Sequence, residues 1–375
     1  MWLEYKKFFK DKSIWIALSF FFLIEVCLQL GCYAKFLNKN SYAAKINNTI
    51  NHIIKNKKNL NPDILLVGTS LAYEGISLRE LNKRLEKSNL KVQSIAIPGA
   101  EMIVQELILE KALEEFPNVK YIIHINDIQM PWIDYSKPTD STLAMLSTFT
   151  PITVIQKLQT YEYEFGYTEI SYLSFKLIAY RKDFADFILS PLKRLKEIFR
   201  AYKNPNQSPY FYENAYEESL QAYTFTNLLE CKKVSQLNLP IPKGSGDFHR
   251  EAVHKTCALA EESNFIEGET ESTKKFYKRL QSFYSIPRKK NIRIFNIFAP
   301  LPNHLSKINY HKRIHFWTEH YSDIALENLA DLSDSIPNLE NEKFYFDMMH
   351  LNKSGMNLFT EKLADKLLIE LEKKK

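Results

Sequence analysis

Beyond residue 60 the chain sets short apolar runs against stretches of helical period. Asp63-Ile-Leu-Leu-Val67 has the uninterrupted apolar character of a strand buried on both faces, and a helical pattern follows over about Leu78 to Lys87. Val92 to Ile97, a helical stretch from about Met102 to Glu115, and Tyr121-Ile-Ile-His-Ile125 repeat the alternation. Strand runs separated by helices of this kind predict βαβ units and a parallel sheet. From about Ile133 to Tyr284 the strand runs stop, and helix-period stretches rich in aromatics take over, Tyr180 to Tyr202 among them. The strand pattern returns at Ile292-Arg-Ile-Phe-Asn-Ile-Phe298 and Ala299-Pro300. A helix around Ile314 to Asp331 and a last amphipathic helix from about Lys353 to Leu371 complete the chain. The expected architecture is α/β: one discontinuous domain from residues 38–132 and 285–375, with a helical cap inserted over 133–284.

The N-terminus follows a different pattern. Lys6, Lys7, Lys10 and Lys12 precede an apolar stretch from about Ile14 to Tyr33, which predicts a membrane anchor or signal segment over residues 1–37. Positive flanks stay inside, so a single-pass protein with its folded part on the extracytoplasmic (periplasmic) side is expected. Glu25 and Gln29 interrupt the run, and a carboxylate near mid-span costs roughly 2.5–3.5 kcal/mol. The uninterrupted part, Ile14 to Ile24, has only the length of a signal core. Signal cleavage, or lipoprotein processing at Leu30-Gly31-Cys32, therefore stands beside an uncleaved anchor. Residues of about 38 to 60 are Lys- and Asn-rich, with Ile46, Ile50, Ile53 and Ile54 at helical spacing, and read as a tether or short helix.

Composition narrows the function classes. A 45% hydrophobic and 25% charged balance suits a globular protein, and 9 Gly against 25 Phe and 21 Tyr disfavours a loop-rich β architecture. The net charge of +6 is spread along the whole chain rather than gathered in a patch, so nucleic acid is not an expected partner. Cys27 and Cys32 lie in the apolar segment. Cys231 and Cys257 suit either a single disulfide in an exported domain or two unrelated buried thiols. Their spacing matches no metal site, and no metal or other cofactor is expected. The amphipathic basic stretch Lys193-Arg-Leu-Lys-Glu-Ile-Phe-Arg200 fits an anionic membrane, a partner protein or a solvated helix face.

Two segments carry candidate chemistry. Gly68-Thr69-Ser70 follows the first predicted strand directly, at the strand end where ligands bind in open α/β sheets. Ser70 is a candidate nucleophile there, although a serine after a strand also serves as a helix N-cap. Near the other end, Asp347-Met-Met-His350-Leu-Asn-Lys-Ser-Gly355 places an acid and an imidazole three residues apart before the last helix. A serine hydroxyl needs a base to remove its proton, and the base needs a carboxylate to fix its tautomer and stabilise the imidazolium. One short loop supplies both.

Asp-x-x-His-Leu-Asn-x-x-Gly before a terminal helix resembles the last block of the SGNH (GDSL-like) hydrolase superfamily, and Gly68-Thr-Ser70 resembles its first block. Ile97-Pro-Gly99-Ala100 stands where that superfamily has an oxyanion-hole glycine, and His124-Ile-Asn126-Asp127 where it has its oxyanion asparagine. Thr69 replaces the usual Asp and His124 the usual Gly; His124 also reads as a plain buried strand residue. The resemblance covers roughly residues 62–132 and 290–372. It implies a three-layer, flavodoxin-like fold, Ser70, Asp347 and His350 as a catalytic triad, and Gly99 and Asn126 in the oxyanion hole. The N-terminal anchor, the Gly-Thr-Ser block and the long insertion look most like the DltD-like and alginate O-acetylation-like branch. That likeness implies an esterase or O-acyltransferase acting on a cell-envelope glycan or polymer beside a membrane-bound O-acyltransferase. A non-catalytic scaffold of the same fold is the alternative.

Overall fold

The computed structural model describes residues 10–133, 136–203, 214, 216–217, 268–302, 310–321, 329–331, 339, 341–347 and 349–372. Strand β1 (Ile64–Gly68) is buried along its whole length, as its unbroken apolar run requires. It pairs in parallel with β2 (Val92–Ser94) and β3 (Tyr121–Asn126); β3 pairs with β4 (Arg293–Phe298), and β4 with β5 (Leu329–Asp331). The sheet order is β2-β1-β3-β4-β5. Connections leave β1 toward one edge and return at β3 on the other side. The crevice between the C-terminal ends of β1 and β3 is thus the switch point, where ligands bind in sheets of this type. The chain is α/β with a parallel sheet, and the strands come from both sides of the 133–284 segment.

Helices cover the sheet in two groups. Between the strands run α3 (Ser70–Gly75), α4 (Leu78–Leu85) and α5 (Met102–Glu115), and α14 (Lys353–Glu372) packs against α3 and α4. Helix α5 packs against α2 (Tyr42–Leu60) and α12 (Glu271–Lys289). The 38–60 segment is therefore not a tether. Ser41 caps α2, and Ala43, Ala44, Ile46, Asn47, Thr49 and Ile53 are buried, so a single apolar stripe suffices to dock an otherwise Lys- and Asn-rich helix on the body.

Other expectations need correction at element ends. The stretch from Ile314 to Asp331 is not one helix: α13 spans Tyr310–Tyr321, and Leu329–Asp331 form the edge strand β5. Three residues are too few to show a strand period. Strand β2 stops at Ser94, although Ile95 and Ile97 still donate to the carbonyls of Leu66 and Gly68, so the chain keeps its course beside β1.

Among the described residues of 133–284 there are helices and no strand: α6 (Asp140–Leu146), α7 (Pro151–Thr160), α8 (Tyr167–Ser174), α9 (Lys176–Ala179), α10 (Arg181–Leu189) and α11 (Pro191–Lys203). The Tyr180 to Tyr202 stretch breaks at Ser190, where Pro191 starts a new helix. Cys231 and Cys257 lie outside the described residues.

Helix α1 (Lys12–Gln29) is long and apolar enough to cross a membrane, and Trp15, Ile16, Phe20, Phe22 and Leu23 are exposed along it. Its C-terminal end docks instead. Glu25 is buried and accepts the backbone N–H groups of Lys176 (2.7 Å) and Leu177 (3.1 Å), which open α9, as well as Gln29 Nε2 (2.6 Å). The carboxylate that is costly in a bilayer here satisfies otherwise unpaired helix amides.

Candidate active site

Strand β1 ends at Gly68, where a Cβ would stand 2.7 Å from Ala72 Cβ and 2.8 Å from the Ile125 carbonyl oxygen. Only glycine lets the strand end approach α3 and β3 this closely. Thr69 then takes the N-cap, its hydroxyl accepting the Leu71 N–H at 3.3 Å. Capping therefore falls to Thr69. Ser70, the first helical residue, keeps its hydroxyl for another partner.

That partner comes from the loop before α14. Asp347 is buried, and its Oδ1 accepts the backbone N–H groups of Met349 (2.8 Å) and His350 (2.7 Å), while Oδ2 lies 2.8 Å from His350 Nδ1. A carboxylate facing Nδ1 assigns the proton to that nitrogen, leaving Nε2 as acceptor for the Ser70 hydroxyl at 2.8 Å. The loop is held by Asn352, whose Nδ2 donates to the Lys343 carbonyl (2.7 Å) and whose Oδ1 caps Gly355 N–H (3.0 Å). Residues of the inserted segment reach the same loop: Asn214 Nδ2 donates to the Leu351 carbonyl at 2.5 Å, and the Tyr216 ring stacks on Phe346 at 4.1 Å.

Charge follows from these contacts. Burial disfavours the imidazolium of His350, but the Asp347 carboxylate outweighs it and lifts the pKa to about 9. Burial also disfavours the Asp347 carboxylate, yet His350 and the two loop amides hold its pKa below the ordinary value. Glu74 adds a second carboxylate, with Oε2 4.0 Å from His350 Nε2; its own pKa is raised, chiefly by burial. Glu74 was not anticipated from sequence, although its position four residues after Ser70 puts it on the same helix face.

The two expected oxyanion residues differ in placement. Gly99 is exposed in the turn before α5, with φ 74°, and a Cβ there would run into the ring of Tyr42 from the first turn of α2. Asn126 donates within a buried cluster. Its Nδ2 donates to Asn296 Oδ1 (2.6 Å) and also faces His124 Nδ1 (3.1 Å) and the Tyr284 hydroxyl (3.5 Å). Both amide hydrogens are committed to this buried cluster, so reaching an oxyanion would mean breaking one of these bonds.

His124 is the plain buried strand residue that one reading expected. Gln105 Nε2 donates to the Ala100 carbonyl, so its Oε1 is the acceptor facing His124 Nε2 at 3.1 Å. His124 Nδ1 is then left as acceptor, opposite the Tyr284 hydroxyl at 2.9 Å. With neutral partners only, burial drives its pKa down to about 3.

A small pocket of about 10 Å³ opens on Ser70, Glu74, Pro300, Met349 and His350. A second cavity, of about 60 Å³, lies between the strand ends at Thr69 and Asn126 and the helices α5 and α12; Ala100, Met102, Met130 and Phe276 give it a mainly apolar wall. Among the described residues no group of His, Cys, Asp and Glu is placed to hold a metal ion. A scan against protein-family models gives no match, and no curated protein matches the chain.

Proposed function

We propose that the chain is a membrane-anchored serine esterase or O-acyltransferase of SGNH type, acting on acyl esters of a cell-envelope glycan or polymer. The observation that carries this reading is the continuous hydrogen-bonded path from Asp347 through His350 to Ser70 Oγ, two 2.8 Å steps joining segments 280 residues apart at the β1/β3 switch point. The flavodoxin-like strand order and the four ordered sequence blocks support it. In this reading α1 anchors the chain with its Lys-rich flank inside, and the body works on the extracytoplasmic side beside a membrane-bound O-acyltransferase that supplies or receives acyl groups.

In the proposed reaction neutral His350 takes the Ser70 proton as Oγ attacks the ester carbonyl carbon, and the carbonyl oxygen becomes an oxyanion. Asp347 stabilises the resulting imidazolium. Collapse breaks the ester C–O bond, His350 protonates the departing alcohol, and the acyl group remains on Ser70. Water or a glycan hydroxyl then gives its proton to His350 and attacks the acyl carbon; collapse breaks the acyl–Oγ bond, and His350 returns the proton to Ser70, so the acceptor decides between hydrolysis and transfer. The backbone N–H groups of Ser70 and Gly99 serve the oxyanion, the former because opening helix amides lack intrahelical acceptors. Each such donor is commonly worth 10²–10³ in rate, by order of magnitude. Asn126 serves as a positioning residue that pins the end of β3 to β4.

Kinetics on an activated aryl ester test the proposal. Ser70→Ala should abolish turnover, and Asp347→Asn should lower kcat by about 10⁴ through the wrong His350 tautomer. Ester turnover that survives both substitutions would end this reading.

A further inference from the structure

Helices α10 and α11 leave a row of large apolar side chains in water: Ile188, Leu189, Leu192 and Phe199 are each at least 65% exposed, and Leu195 is 39% exposed. Leu192, Leu195 and Phe199 recur at helical spacing and form one stripe. Lys193, Lys196, Arg200 and Lys203 recur one position later, so a cationic stripe runs beside the apolar one, and all four are exposed. Among the described residues none covers this face.

The opposite side of the helix pair is bound to the segment that leaves α1. Arg194 is buried; its Nη2 donates to the Phe36 carbonyl (3.0 Å), and its guanidinium pairs with Asp186 (3.2 Å) and Glu197 (2.5 Å). Phe187 meets the Phe36 ring edge-on at 5.2 Å. Asn38 adds two bonds, its backbone N–H to Asp183 (2.7 Å) and its Nδ2 to Asp186 (3.0 Å). With Glu25 locked onto α9, the exposed stripe is tied to the end of the candidate anchor, where Phe22, Leu23, Val26 and Leu30 are exposed as well.

We infer that α10 and α11 form a second membrane contact, lying in the headgroup layer with the apolar stripe inserted and the cationic stripe against anionic lipid. This rests on the proposed membrane insertion of α1. Charge complementarity selects the occupant: Glu197, the acidic residue of α11, is already paired with Arg194, which leaves a face of apolar and cationic groups. Two contacts fix the tilt of the body, where one helix alone would let it swing.

The full-length chain with Cys27, Cys32, Cys231 and Cys257 replaced by Ser provides the test. A single dye is placed at Leu192→Cys, Phe199→Cys or, as control, exposed Lys87→Cys. The protein is reconstituted into phosphatidylglycerol/phosphatidylcholine vesicles containing headgroup-level nitroxide lipid. Dyes at 192 and 199 should be quenched about twofold or more and the dye at 87 should not. Lys193→Gln, Lys196→Gln and Arg200→Gln should each lower the docked-to-undocked ratio roughly fivefold. Unquenched dyes at 192 and 199 on a chain that floats with the vesicles would overturn the inference, as would cross-linking of position 192 between copies in place of quenching. A chain that fails to float would overturn the anchor itself, and the second contact would fall with it.

Discussion

Two histidines lie in the same α/β body and end with opposite electrostatics. His350 faces the Asp347 carboxylate and is raised to about 9, whereas His124 is surrounded by an amide, a phenol and Asn126 and is driven down to about 3. His124 is fully buried and His350 only partly, and for both burial disfavours the imidazolium, so burial alone does not decide their state. The partner decides: a carboxylate at 2.8 Å outweighs the desolvation penalty, and neutral dipoles do not. One histidine can be a base. The other is held as a neutral cross-brace between β3, α5 and α12.

The comparison breaks most sharply at Asn126. If its amide belongs to the His124 brace, Asn126→Ala should cost about 0.5–1.5 kcal/mol in urea unfolding by removing the bond to Asn296 Oδ1, which keeps the Tyr284 hydroxyl as donor, while kcat on an aryl ester stays within a few-fold. A fall in kcat by roughly 10²–10³ at unchanged stability would instead return Asn126 to the oxyanion site.

Linkage to pH gives the next contrast. The folded pKa of His350 is raised, so its contribution to stability is full below about 6.5 and disappears as pH rises through about 9. The folded pKa of His124 is depressed, so its burial costs stability as pH falls below about 6.5 toward about 3. Urea unfolding of wild type, His350→Gln and His124→Gln across pH should show the two slopes vanish separately, one on each side of neutrality. The smallest expected effect concerns Glu74. Activity needs neutral His350 and should climb with pH toward about 9, and Glu74→Gln should move that limb to lower pH by removing one of the charges that raise His350.

The sequence was most informative where one residue type has one physical reading. Short, mainly apolar runs located β1, β3 and β4, and the Asp347/His350 spacing identified a pair that the loop does bring into contact. It was least informative where a role depends on residues distant in the chain. Nothing local to Asn126 shows that Asn296 and Tyr284 will claim its amide, and nothing local to Gly99 shows that the Tyr42 ring will lie beside it. The helical spacing of α2 was legible, but its docking was not, because four isoleucines among lysines and asparagines look like a solvated tether until a body is there to receive them. Glu74 was legible from its spacing to Ser70, but only once that serine is placed on a helix.

The most direct measurement is covalent. The full-length chain, incubated with a serine-directed phosphonate and analysed by peptide mass spectrometry, should carry the label on Ser70. Labelling should be lost in Ser70→Ala, strongly slowed in His350→Ala, and unchanged in His124→Gln. Equal labelling of wild type and Ser70→Ala, or slowing by His124→Gln rather than His350→Ala, would contradict the assignment of nucleophile and base.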